Sequence, residues 1–190
     1  TKRIGRLLGL TLALCLIASC SGRKSSDFIA EGTISGAADQ MLYLEETISE
    51  EPRLIDSVRL DKEGHFSFRS EGHSYPMLYR LRLGEQHIPF AADSARRFSI
   101  TAEGARLFDS YRITSPEDYN KQIQEVCRLS TATSRQLEPI VQEAWANRIN
   151  ADSARARSSE LIAALKKQLT ERFIYADPKS PAACFALLQT

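Results

Sequence analysis

The residues of this sequence that could do chemistry are few: four cysteines (Cys15, Cys20, Cys127, Cys184), three histidines (His65, His73, His87) and one adjacent Asp56-Ser57 pair. No two cysteines are spaced Cys-x-x-Cys, so the usual dithiol redox centre is missing. No two histidines stand at ligand spacing, so no metal site and no cofactor are expected. Asp56 and Ser57 have no histidine with a sequence reason to be near. Structural hydrogen bonding is therefore expected of them, and no catalytic residue is assigned. By strict alternation Asp56 shares a face with Leu54, Val58 and Leu60. It is either a buried carboxylate with donors or turned outward by a bulge. The three histidines fall at strand edges or loops and are expected to be solvated. Arg80, Arg82, Arg96 and Arg97 form either a basic patch or a solvated strand face with acids nearby. Cys127 and Cys184 both sit among apolar residues at helical spacing. A disulfide between them and a pair of buried free thiols remain alternatives.

The first twenty residues read as an address. Lys2, Arg3 and Arg6 give a basic start, and Leu7 to Ala18 is apolar except for Gly9 and Thr11. That run is well short of the roughly 20 residues a spanning helix needs. It closes on Ile17-Ala18-Ser19-Cys20, the pattern of a bacterial lipobox. Ile17, Ala18 and Ser19 are the expected signal-peptidase recognition residues, and Cys20 the lipidated residue. Cys15 competes poorly, because Leu14 before it is too large. Residues 1–19 are thus expected to be a signal peptide and 20–27 a lipidated cysteine with a polar tether. The expected partner is a membrane, through the lipid. Ser21 stands where an aspartate would favour the inner membrane, so an outer-membrane lipoprotein facing the periplasm is expected.

Composition narrows the rest. In 190 residues, 43% hydrophobic and 26% charged residues exclude a mostly disordered chain. Lys and Arg number 25 against 24 Asp and Glu, which leaves no long-range basic field, and no nucleic-acid partner is expected. From Phe28 to about Ile113 the apolar residues recur with period two. Strands are predicted at 28–35, 41–46, 54–60, 65–69, 76–83, 88–92, 97–101 and 111–113. One apolar face per strand implies two packed antiparallel sheets, with a partly open barrel as the alternative.

Residues 115–190 read as helical. Ser115-Pro116 and Ser180-Pro181 both look like a cap followed by a helix-starting proline. Between them lie one kinked or two separate helices around Pro139, and a stripe of Leu161, Ile162, Leu165, Leu169 and Phe173. The fold class is therefore α+β: an N-terminal antiparallel β-sandwich at 28–114, then a helical segment at 115–190.

Gly32-Thr33-Ile34-Ser35-Gly36, Leu42-Tyr43-Leu44, Ile55-Asp56-Ser57-Val58, Gly64-His65-Phe66-Ser67-Phe68 and Pro76-Met77-Leu78-Tyr79-Arg80-Leu81 together resemble a known family. It is the N-terminal domain of unknown function of certain bacterial periplasmic lipoproteins. In that family a β-sandwich module and helices often precede a C-terminal thioredoxin-like domain of the redoxin type (alkyl hydroperoxide reductase/thiol-specific antioxidant). Asp177 to Cys184 resembles the family's helical linker. The resemblance implies a non-catalytic module whose longer parent is a thiol–disulfide oxidoreductase with a redox partner protein. The apolar pattern of Cys184, Leu187 and Leu188 runs to Thr190 with no C-cap, and the segment is expected to stop short of that domain. The alternative is a stand-alone envelope lipoprotein that binds a ligand or a protein through the sandwich loops.

Overall fold

The computed structural model describes residues 27–47, 51–94 and 96–190. Ile17, Ala18, Ser19 and Cys20 lie outside the described residues. Eight strands come first: β1 (Asp27–Ser35), β2 (Met41–Glu46), β3 (Arg53–Arg59), β4 (His65–Glu71), β5 (Met77–Leu83), β6 (Gln86–Ala92), β7 (Arg97–Glu103) and β8 (Arg112–Thr114). A one-turn helix, α1 (Leu107–Ser110), sits between the last two. Then follow α2 (Tyr119–Trp145), α3 (Ala151–Leu169), which runs on into a π-turn at Thr170–Ile174, and α4 (Pro181–Leu187).

The strands form two four-stranded sheets, in the orders β4-β1-β7-β8 and β3-β2-β5-β6. The α+β expectation holds, and every strand lies within two residues of its predicted ends. The β5–β6 hairpin is antiparallel, as its tight turn requires, and β2 and β3 also pair antiparallel. One pair, β1 with β7, is parallel. These strands are far apart in sequence, so no hairpin dictates their direction. Gly32 faces Ile100 in that pair, and a Cβ there would stand 1.7 Å from the Ile100 carbonyl oxygen. The pairing needs that glycine.

Alternation builds the core. Phe28, Ala30 and Ile34 of β1 face Leu42 and Leu44 of β2, Tyr79 and Leu81 of β5, and Ile88 and Phe90 of β6. Phe28 is the hub of a ring cluster: its centroid lies 4.9 Å from Tyr79, 6.2 Å from Phe98 and 6.4 Å from Phe90. Gly64 (φ +84°) makes the crossing from β3 to β4; a Cβ there would meet the Ile34 carbonyl oxygen at 2.1 Å.

The Asp56 question resolves as a bulge. The β2–β3 register slips between Leu44 and Glu45, leaving Ile55 without a cross-strand partner. Parity changes there, Ile55 and Val58 lean on the core, and Asp56 turns to solvent. Its carboxylate accepts the Ser57 N–H at 2.7 Å.

The helices add a third layer on the outer face of the second sheet. Ile123 and Cys127 of α2 and Ala182 of α4 pack with Ala91 of β6 and, beside it, Leu78 of β5. A second seam, Val126, Leu169, Phe173 and Ala186, joins the helices to one another. Ser180 caps α4 as expected, its hydroxyl accepting the Ala183 N–H at 3.0 Å. Ser115 does not cap α2. Its hydroxyl donates to the Glu117 carbonyl at 2.7 Å, and the helix starts later, at Tyr119. α2 then runs unbroken through Pro139.

Candidate functional site

At one end of the sandwich a cavity of about 370 Å³ opens between β3 of one sheet and the end of β4 of the other. Glu46, Arg53, Ile55, Ser70, His73 and Tyr79 line it. Glu46 ends β2 and by alternation belongs on the face of Leu42 and Leu44. It is only 4% exposed. A carboxylate so placed needs partners. Arg53 provides two, with Nε 2.9 Å from Oε2 and Nη2 against the same oxygen. His73 Nε2 lies 3.3 Å from Oε1. Tyr79 pairs with Glu46 across the strands, and its phenol is pushed up to about 12, first by burial and then by the Glu46 charge. His73 stacks on the exposed Tyr75 ring at 5.7 Å.

This is where an acid, an imidazole and a hydroxyl meet. No hydrogen bond joins Ser70 to His73, however, and Arg53 claims the carboxylate. The group can bind a polar ligand; it is not wired to move a proton from a serine. The signal for Glu46 was available, since a strand ending Leu44-Glu45-Glu46 must send one acid inward. His73 as its partner was not foreseeable, because the two are joined only through the fold.

The other acid points the opposite way. Glu45, also buried, lies on the outer face of the second sheet, where Arg80 Nε donates at 2.6 Å and Arg82 Nε at 2.8 Å. Burial alone would raise the Glu45 pKa, but the two arginines overrule it and hold the carboxyl below its ordinary value. Arg96 pairs instead with Asp93 at 3.0 Å and Glu117 at 3.3 Å, and Arg97 pairs with Glu31. The four arginines are therefore not gathered into one basic patch. Each has its acid.

Residues 28–114 match a domain of unknown function, DUF4369. The match runs from the second residue of β1 to the last of β8, so the matched region is the sandwich with α1, and α2, α3 and α4 lie beyond it. No curated protein matches the chain. Among solved structures, the N-terminal domain of AlgF from P. aeruginosa aligns with 48% of this chain and 94% of its own. The identity is 12% and the TM-score 0.32, a likeness too distant to inform function.

Cys127 and Cys184 are both free. Cys127, on α2 against the sandwich, is buried, and burial pushes its thiol up to about 11. Such a thiol is almost wholly protonated at neutral pH and makes a poor nucleophile. Cys184 is exposed on α4. His65 and His87 are exposed, as expected; His65 Nδ1 lies 3.0 Å from Asp61 Oδ2. Asp61, Glu63 and His65 bring one potential ligand atom each within 4.8 Å of one another, all three exposed. The turn explains that closeness, since Asp61 Oδ1 accepts the N–H groups of both Glu63 and His65.

Proposed function

We propose that this chain is a non-catalytic module of a membrane-anchored thiol–disulfide oxidoreductase of the bacterial cell envelope. Cys20 would carry the lipid, on the periplasmic side of the outer membrane. The sandwich and helices would hold a thioredoxin-like domain of the parent protein away from the bilayer and within reach of its redox partner.

The lipobox residues, the DUF4369 match and the family resemblance support this reading. The structural observation that carries it is the fastening of α2 to the sandwich. The Asn120 side chain accepts the Ala91 N–H at 2.7 Å and donates to the Ala91 carbonyl at 3.0 Å. Asn120 thereby satisfies the open edge of β6, as an added strand would. Gln124, one turn on, donates to the Tyr111 carbonyl. A helical segment fixed in this way can set a distance, which a loose linker cannot. The protonated Cys127 thiol is consistent with chemistry carried elsewhere.

Three measurements test the proposal. The coding frame beyond Thr190 is expected to enter a domain with a Cys-x-x-Cys motif; a stop codon there would overturn the parent-enzyme reading. Palmitate is expected to label the protein in a bacterial host, with the label lost in Cys20→Ala. Residues 20–190 alone are expected to give no insulin reduction, and turnover would refute the non-catalytic assignment.

A second reading, a binding module working through the sandwich loops, is favoured by one observation: the cavity around Glu46. It predicts a ligand whose binding is lost in His73→Ala while the fold is kept.

A further inference from the structure

We infer that the cavity around Glu46 is a binding site for a neutral sugar ring. The inference rests on the second reading above, that the chain binds a ligand at this end of the sandwich, and it names the class of that ligand.

The deciding group is Tyr79. The residue is 2% exposed, and its ring is fixed in the core by Phe28 at 4.9 Å and Phe90 at 5.7 Å. Its hydroxyl makes no hydrogen bond among the described residues, yet it is not one of the hydroxyls sealed away from solvent. The charges of Glu46 and Arg53 act on it, and all three residues line the cavity. The one polar atom of this core side chain therefore opens into the cavity with its proton uncommitted. A buried tyrosine usually has a partner for that proton. A ligand oxygen would be one.

The surrounding groups select the ligand. The Glu46 carboxylate is answered by Arg53 and His73, so the cavity floor holds donors and acceptors without free charge. Arg53 spends Nε and Nη2 on Glu46 and keeps its other N–H donors. The half-buried Ser70 hydroxyl on the wall makes no hydrogen bond among the described residues. Two charges oppose an ionic ligand of either sign. The exposed Glu71 carboxylate of the lining disfavours an anion, and the Arg53 side chain, 69% exposed, disfavours a cation. Adjacent sugar hydroxyls each donate and accept, which suits a carboxylate–guanidinium pair with two free hydroxyls beside it.

The apolar requirement is also met. Ile55, freed from cross-strand pairing by the bulge, is on the wall. Tyr75, 59% exposed, stacks on His73 and presents a ring beside the cavity. The C–H face of a sugar ring is slightly positive and packs against the negative face of an aromatic ring. The volume of about 370 Å³ is within the range of small-molecule sites. A buried acid requires Arg53 and His73; it requires neither an open phenol nor an exposed ring at its side.

The test is titration of the chain, followed by amide NMR shifts, with the methyl glycosides of glucose, galactose, mannose and N-acetylglucosamine. Acetate and methylammonium are the charged comparison. At least one glycoside is expected to bind saturably, with a Kd of about millimolar order and little dependence on salt. Tyr79→Phe should weaken that binding by about threefold or more, as loss of one hydrogen bond does. Tyr75→Ala, at an exposed side chain that the fold does not need, should also weaken it severalfold and decides the matter should Tyr79→Phe fail to fold. Glycoside binding that neither variant changes would overturn the site. If no glycoside binds while acetate or methylammonium does, and His73→Ala abolishes it, the sugar is overturned and the binding-module reading stands. Silence from every probe would overturn both.

Discussion

The sandwich and the helical segment are held by different means. In the sandwich, sheet faces close on rings and branched side chains: Phe28, Phe68, Phe90, Phe98 and Ile100 are all fully buried. In the helices burial is sparse. α3 buries only Leu169 along its length, and α2 buries only Ile140 beyond Cys127. Where α2 meets the sandwich, two of its buried side chains are the amides Asn120 and Gln124. One region is stable through apolar area; the other is located through a few directional bonds. The sandwich should therefore dominate global stability, and the seam should decide only where the helices lie.

The largest effect follows from the hub of the core. Phe28→Ala removes a ring that touches three others and should cost about 3–5 kcal/mol. That is a large part of the roughly 5–15 kcal/mol typical of a domain. Urea unfolding followed by far-ultraviolet circular dichroism should show the midpoint drop. Ile162→Ala on α3, at a side chain 42% exposed, should move it far less, within about 1 kcal/mol. Equal effects of the two substitutions would erase the distinction between the regions.

Next comes the seam. Asn120→Ala would orphan both the N–H and the carbonyl of Ala91 in a buried setting, at a cost of about 2–4 kcal/mol. The loss should be local. Proteolysis in the segment between Thr114 and Tyr119 should accelerate, while the strand signal of the sandwich persists. If sandwich and helices instead melt together at one lower midpoint, they form a single cooperative unit, and the comparison fails.

Legibility in the sequence follows the same division. Strands were readable because a sheet with one buried face writes its period into the chain, as in His65-Phe66-Ser67-Phe68. The bulge was half legible: Asp56 on the apolar face of Leu54, Val58 and Leu60 left burial or a bulge open, and only the pairing with β2 shows the extra residue at Ile55. The parallel β1–β7 pair was not legible, since it depends on two distant segments meeting. Ser115-Pro116 and Ser180-Pro181 look alike, yet only the second begins a helix, because the first serine finds the Glu117 carbonyl instead. The cavity around Glu46 was half legible: parity sends Glu46 inward, but its partners Arg53 and His73 arrive from elsewhere.

A smaller, pH-dependent effect belongs to Glu45 of β2 and to Tyr79 of β5. The carboxyl of Glu45 is held below its ordinary value of 4.5 by Arg80 and Arg82 against the opposing pull of burial. A depressed folded pKa means the group binds protons more readily when unfolded. Its stabilisation is therefore complete above about pH 4.5–5 and is lost as pH falls through the depressed value. Glu45→Gln should flatten that acid limb in a plot of unfolding free energy against pH. At the alkaline end the sign reverses, because the Tyr79 phenol is raised to about 12. Its contribution is full below pH 10 and fades as pH rises toward 12. Tyr79→Phe should remove part of that alkaline loss.

The smallest effect belongs to Trp145, and it probes the comparison from the helical side. It is the sole tryptophan of the chain, it ends α2, and it is 82% exposed. Trp145→Ala should change stability by no more than about 0.5 kcal/mol, as surface substitutions usually do. The same exposure makes the indole a reporter of the region that the sandwich does not stabilise. Its emission in native protein should already resemble that of an indole in water, and urea should shift it little. A core tryptophan would move to the red as the sandwich opens. A large red shift coincident with loss of the strand signal would mean that the far end of α2 is packed in solution, by the rest of the chain or by another copy. Dilution distinguishes these, because only packing against another copy weakens as the protein concentration falls.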